Sequence, residues 1–155
     1  IICPSIALIP VIHAMDSNGP IVLLVAFAAI WGSDTGAYFS GRKWGKHRLA
    51  PKVSPGKTWE GVSGGFLLGL LAGLGIIRAF YDGGIPYFFW CVILMISISA
   101  GVIGDWFESM VKRTFGKKDS GTLLPGHGGI LDRIDSMLAF LPIFAVFIAA
   151  GKVGF

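Results

Sequence analysis

Charge is scarce in this chain. Only 14% of its 155 residues are Asp, Glu, Lys or Arg, against about 25% in an average soluble domain. Cysteine is scarcer still: Cys3 and Cys91 are too few for a disulfide scaffold or a cysteine-built metal site. The 23 glycines follow no Gly-X-Y period and form no Gly/Ser linker, so collagen-like and low-complexity readings fall away. The first residues, Ile1-Ile2-Cys3-Pro4, carry no Met and no basic segment and do not open like a signal peptide. The chain therefore reads as the C-terminal part of a longer one. What it does have is hydrophobicity, 54% of residues with a mean hydropathy of +0.72. That excludes a disordered chain and points to a protein whose solvent is the bilayer.

The few charges are clustered. Of 13 Lys and Arg, six lie between positions 42 and 57 and five between 112 and 133. Between them run stretches of the length a spanning helix needs, about 20 mostly apolar residues. The spacing predicts spans at 20–39, 61–80, 86–104 and 134–150, the third continuing as helix to about Arg113. Residues 1–19 are too short to span alone and read as the remnant of a preceding span or an interfacial segment. The expectation is an all-α, polytopic membrane helical bundle of about four transmembrane helices, one membrane-embedded region over 1–155. Its two basic loops, roughly 40–60 and 114–131, fall on one face, which the positive-inside rule makes cytoplasmic. In a bacterium that places the protein in the inner membrane. No nucleic-acid partner is expected; basic loops beside spans suit lipid head groups and phosphates.

The second predicted span carries Gly61, Gly65, Gly69 and Gly73, one every four residues. Such a stripe lines one helix face and admits a neighbouring backbone. The neighbour is either in the same chain or in a second subunit, which leaves room for a homodimer.

A charged group within a span costs about 2.5–3.5 kcal/mol on insertion scales, yet several acids sit inside or at the edge of the apolar runs. Asp34 interrupts the first run. Asp105, Glu108, Ser109 and Lys112 share one helix face at i, i+3, i+4 and i+7, and Asp132, Asp135 and Ser136 share another. Two helices with carboxylates at their ends suit a hard divalent ion such as Mg²⁺; interhelical salt bridges with Arg113 and Arg133 explain the same acids. The loop Lys117-Lys118-Asp119-Ser120-Gly121 with Pro125-Gly126-His127-Gly128-Gly129, and the segment Ser54-Pro55-Gly56-Lys57-Thr58, hold the glycines and lysines of an anion site. Neither has Walker A spacing, and a solvated turn facing anionic lipids accounts for the same composition. Acids for a metal beside cations for phosphates suit an enzyme joining a phosphorylated lipid to a soluble phosphate donor.

The stretch from Ser109 to Asp135, SMVKRTFGKKDSGTLLPGHGGILDRID, resembles the signature of the phosphatidate cytidylyltransferases, or CDP-diacylglycerol synthases. Ser109, Val111, Lys112, Arg113, Lys118, Asp119, Gly121, Leu124, Pro125, His127, Gly128, Gly129, Ile130, Asp132, Arg133 and Asp135 fit it in register. Ser33-Asp34-Thr35-Gly36-Ala37-Tyr38 and Ser54-Pro55-Gly56-Lys57-Thr58-Trp59-Glu60-Gly61 are similar to two further segments of that family. The resemblance covers about residues 20–150. It implies that the phosphate of phosphatidate attacks the α-phosphorus of CTP, giving CDP-diacylglycerol and pyrophosphate. It also implies Mg²⁺, with a second cation at the same centre.

On that resemblance Asp105 and Asp132 are the expected metal ligands and catalytic groups. Asp135 and Glu108 stand beside them as supporting or alternative ligands. Lys57, Lys112, Arg113, Lys118 and Arg133 are expected to bind CTP or phosphatidate phosphates, with Lys112 and Arg133 counted among the catalytic groups. Ser33, Asp34 and Thr35 are expected to line a polar cavity. Asp119, His127, Gly128 and Gly129 are expected to shape the nucleotide loop. A lipid-alcohol kinase using CTP would release CDP instead of pyrophosphate. A transporter would use Asp34, Asp105 and Asp132 along an ion path but leaves the paired lysines and the His-Gly-Gly loop without a role.

Overall fold

The structure, a computed structural model, describes residues 2–15, 17–51, 53–82, 84–116 and 131–154. Within them the chain forms α1 (Ile2–His13), α2 (Gly19–Trp44), a hairpin of β1 (Arg48–Ala50) and β2 (Ser54–Thr58), then α3 (Trp59–Phe80), α4 (Tyr87–Thr114) and α5 (Leu131–Gly154). Helices α2, α3 and α4 are long and apolar enough to cross a membrane; the apolar part of α5, Asp135–Gly151, is shorter. The all-α membrane bundle expected from the sequence is what the chain forms, with three long apolar helices and one shorter one. α5 is shortened by its entry, where Asp132, Arg133 and Asp135 interrupt the apolar run.

Local signals set the boundaries. Pro20 occupies the first turn of α2, where its missing N–H costs nothing. Thr58 caps α3, its hydroxyl accepting from the Gly61 N–H at 3.1 Å. α4 starts after Pro86 and runs unbroken past the apolar segment to Thr114, as its sequence predicts, stopping where Gly116 turns to φ +66°. α2 runs further than its apolar segment, to Trp44. The segment 1–19 contains a 12-residue helix. It packs on α5 and α2, and Ser5 Oγ donates to the Leu138 carbonyl at 2.9 Å.

Two tightly packed helix pairs build the bundle. In the first, the glycine stripe of α3 lies on α2. A Cβ on Gly65 would stand 2.8 Å from the Ser33 carbonyl oxygen, and one on Gly69 would stand 2.8 Å from that of Ala29. Only glycine permits that approach, so the stripe is spent inside the chain and a second subunit would need another face. In the second pair, α4 and α5 meet through large buried side chains, Trp90 and Ile93 with Phe140, Phe144 and Ile148 in one core, and toward the polar end through Gly101 and Gly104, which lie against Ser136, Phe140 and Ala139. Leu94 and Ile98 reach across to Gly73 and Gly69 of α3. Phe140 and Phe144 stack with ring centroids 5.4 Å apart. The pairs lean together through Val22, Val25, Ala26 and Ala29 of α2, which join the same core. Exposed Trp31, Leu67, Leu71, Phe88 and Val146 clothe the outside, a surface suited to lipid.

Among the described residues, the expected first basic loop holds the one pair of strands. β1 and β2 pair antiparallel, with Arg48 opposite Thr58 and Ala50 opposite Ser54. The hairpin is tied to the far pair of helices: Arg113 Nε, near the end of α4, donates to the Val53 carbonyl at 3.3 Å. The polar ends of α2, α3, α4 and α5 therefore gather at one end of the bundle, as the charge pattern requires.

Candidate active site

A cavity of about 370 Å³ opens at that polar end, between the two helix pairs and under the hairpin. Its polar groups come from four elements: Ser33, Asp34 and Tyr38 of α2, Lys57 and Thr58 of β2, Asp105 of α4, and Ser136 of α5; α3 adds Gly61, Val62 and Gly65. Its floor is apolar, with Ile30, Ile98, Gly101 and Phe140. A cavity with a greasy floor and a charged rim accepts the head of an amphiphile.

Lys57 is the centrepiece. Strand β2 carries it across from the first helix pair to the second, where its ammonium pairs with the Asp105 carboxylate, both side chains about three-quarters buried or somewhat less. Asp34 faces the same two groups electrostatically from α2. The hairpin's base is stitched shut. The Trp59 N–H donates to the His47 carbonyl at 3.0 Å. The His47 N–H reaches both Glu60 carboxylate oxygens at 3.3 Å, and the His47 ring Nδ1 lies 2.6 Å from Glu60 Oε1. Residues 47–60 thus form a closed excursion that holds Lys57 over the cavity.

On the other side, Asp105 and Asp135 lie within hydrogen-bonding reach of one another, and Asp135 Oδ1 accepts from the Ser136 N–H at 2.7 Å. Two carboxylates so close repel unless a proton or a cation lies between them. Among the described residues, no three His, Cys, Asp or Glu side chains form a metal-holding group by themselves.

The structure sorts the residues singled out from the sequence. Ser33, Asp34, Lys57 and Asp105 line the cavity together, with Asp135 against Asp105. Thr35 is exposed and is not among the lining residues. The helical period places positions 33, 34, 37 and 38 on the cavity side and turns 35 away. Glu108 and Lys112 pair with each other one helical turn apart, at 3.3 Å, and lie outside the lining. Arg113 is spent on the hairpin carbonyl. Lys118, Asp119, His127, Gly128 and Gly129 lie outside the described residues. Asp132 and Arg133 fall in the first turn of α5, and their side chains lie outside what is described.

Two contributors had weaker signals in the sequence. Ser136 shares a helix face with Asp132, one turn on, which was its only mark. Tyr38 closes the α2 side of the cavity, and its hydroxyl accepts from Arg42 Nη1 at 2.8 Å. Its place at the end of the family-like segment Ser33–Tyr38 was the available clue.

The cytidylyltransferase family model matches residues 1–150. The chain is similar to the phosphatidate cytidylyltransferase of Haemophilus influenzae, at 48% identity over 84% of this chain and 46% of the relative. It is similar to that of Pseudomonas aeruginosa at 47%, over 89% of this chain and 50% of the relative. Against that of Bacillus subtilis the identity is 42%, over 90% of this chain and 51% of the relative. The chain thus spans about half the length of the curated relatives it matches. With that likeness running through every element that builds the cavity, the chain belongs to the cytidylyltransferase family.

Proposed function

We propose that the cavity transfers the cytidylyl group of CTP to phosphatidate. One oxygen of the phosphatidate phosphate forms a bond to the α-phosphorus of CTP. The bond from that phosphorus to the α–β bridging oxygen breaks, and pyrophosphate leaves with the electron pair. The observation that carries this reading is the Lys57–Asp105–Asp135 constellation at the charged rim of a greasy cavity, within helices of membrane-crossing length. The family and the printed activity of its relatives point the same way.

The nucleophile is already an anion, so the chain need not supply a strong base. What it must supply is a place where two polyanions meet. Lys57 brings a cation to the cavity with two ammonium protons beyond its Asp105 partner, enough to hold a phosphate oxygen. Ser33, Thr58 and Ser136 offer hydroxyls around the cavity. Lys112, Lys118, Arg113 and Arg133, from the neighbouring polar segment, complete the positive surroundings; Asp119, His127, Gly128 and Gly129 belong to the nucleotide's side.

The Asp105–Asp135 pair fits Mg²⁺. That ion keeps several waters and takes one or two carboxylates plus substrate phosphates, rather than an all-protein cage. Asp105 and Asp132 would hold it, with Asp135 as a supporting group, and a second cation would add further charge screening. When bound, Mg²⁺ screens the phosphates and stabilises charge on the departing pyrophosphate.

The protein sits in the cytoplasmic (inner) membrane, the polar end of the bundle facing the cytoplasm, because 11 of its 13 Lys and Arg lie in the two segments at that end. A homodimer would use a face other than the glycine stripe. The experiment supplies CTP labelled in the α- or γ-phosphate with phosphatidate, with and without Mg²⁺. Label from the α-position in lipid and from the γ-position in pyrophosphate is the expected outcome. Release of CDP with γ-label in lipid would replace this reading with a lipid kinase.

A further inference from the structure

A second cavity, about 310 Å³, lies on the outer side of α3 and α4 at the same polar end, lined by Leu49, Trp59, Val62, Val102, Ile103 and Trp106. None of these is charged. Val62 and Val102 also line the polar cavity, so the two spaces share a wall one side chain thick. That wall stands where the two tight helix pairs meet, and α3 touches α4 far less than it touches α2.

The same short segments arm both sides of the wall. Lys57 lines the polar cavity, and Trp59, two residues on, lines the outer groove. Asp105 lines the polar cavity, and Trp106, the next residue of α4 and turned by about 100°, lines the groove. Each charged group thus has an indole fixed beside it on the lipid side. Trp59 and Trp106 are both substantially exposed, as is Ile103. Indoles at this level favour the glycerol region of a bilayer, where the head of a lipid gives way to its chains.

We propose that the groove holds the upper part of one acyl chain of the phosphorylated lipid whose head occupies the polar cavity. The lipid straddles the Val62–Val102 wall, and Leu49, Trp59, Ile103 and Trp106 set the enzyme's preference among chains. This deepens the reading of the site given above and rests on it.

The test compares kcat/KM for long-chain and dihexanoyl phosphatidate, with CTP saturating, in wild type and in Ile103→Trp. Position 103 is exposed, so the larger side chain enters the groove without entering the core. The long-to-short ratio is expected to fall about tenfold, the scale on which apolar pockets discriminate chains. An unchanged ratio, or an equal fall for both lengths, overturns the assignment. A second measurement does not depend on turnover. Phosphatidate brominated near the top of its chains, at low mole fraction in phosphatidylcholine vesicles, is expected to quench indole fluorescence more than equally brominated phosphatidylcholine does. The excess should vanish in the Trp59→Phe, Trp106→Phe double variant. Equal quenching by both lipids means the groove meets bulk lipid only and overturns the proposal. Preferential quenching without formation of CDP-diacylglycerol would instead overturn the reaction proposed for the cavity and leave the groove standing.

Discussion

The two helix pairs solve the same problem with different proportions of glycine and bulk. In a bilayer there is no hydrophobic gain from pressing one helix on another, so close packing and hydrogen bonds must hold them. α2 and α3 achieve it by having almost nothing between them, with the α2 backbone against Gly61, Gly65 and Gly69. α4 and α5 fill most of the space with Trp90, Phe140 and Phe144 and bring backbone close only at Gly101 and Gly104, toward the polar end. Neither pair contains the site. Asp34 belongs to the first, Asp105 and Asp135 to the second, and Lys57 is the one charged side chain among the cavity-lining residues that a strand carries from one pair to the other. The cavity exists because the pairs are tight within themselves and loose against each other.

The largest effect should come from the junction. Asp105 touches Lys57 from the first pair and Asp135 from its own. Asp105→Asn keeps the shape and removes the charge, and CTP-dependent activity should fall by more than about a hundredfold, the scale of losing one group that stabilises developing charge. Far-ultraviolet circular dichroism and membrane insertion should be unchanged. Activity near wild type would mean that the two halves are joined for structure alone.

The next effect tests the first pair. Gly65→Ala places a methyl 2.8 Å from the Ser33 carbonyl oxygen, and neither backbone can yield without moving the other. The variant should lose about 1–3 kcal/mol of stability, the usual cost of overpacking, read as a lower midpoint in thermal or denaturant unfolding in detergent. Activity should fall with it, because Ser33 and Asp34 ride on the displaced helix. An alanine at Gly75, which has open space around it, is the control and should cost little. Equal effects at the two positions would remove the contrast between the pairs.

Much of this plan can be read from composition and period, and the exceptions have causes. The helices announce themselves because charge-free runs of membrane length have few other uses. The continuation of α4 to Thr114 shows in the spacing of Asp105, Glu108 and Lys112, a helical face that outlasts the apolar run. The extension of α2 to Trp44 does not show, because Ser40-Gly41-Arg42-Lys43 has the composition of a loop. The hairpin hides for a related reason: β2 contains Pro55 and Gly56, residues that argue against a strand, and a strand of three to five residues shows no alternation to detect. At the site, periodicity groups acids lying on one helix, so Asp105 and Asp135 emerge as separate clusters. Their meeting, and that of Lys57 with Asp105, is a tertiary fact that no spacing along the chain contains. Thr35, exposed and outside the cavity lining, shows the converse. A matching segment suggests that three consecutive residues act together, while a helix can turn only some of them inward.

A smaller effect concerns Lys57 itself. Lys57→Ala removes a substrate-facing cation yet leaves the carboxylates, so it should raise KM for one or both substrates by about tenfold, equivalent to about 1.4 kcal/mol. An unchanged KM for both would take Lys57 out of substrate binding and leave it as a partner for Asp105.

The smallest effect separates holding Lys57 in place from merely folding the hairpin. Glu60 gathers the His47 N–H and imidazole and so closes the excursion on which Lys57 sits, but it does not line the cavity. Glu60→Ala should raise KM about threefold, at the low end of coupling between linked residues, with little change in kcat. If Glu60 acts by holding Lys57 in place, the same substitution made in Lys57→Ala should add almost nothing, since the group it positions is gone. If Glu60 only stabilises the hairpin, the two effects should multiply, because the hairpin would loosen whether or not a lysine rides on it. The first outcome makes residues 47–60 a rigid arm reaching from one helix pair to the other. The second reduces the hairpin to a cover over the cavity and leaves the bridge between the pairs to the Lys57–Asp105 contact alone.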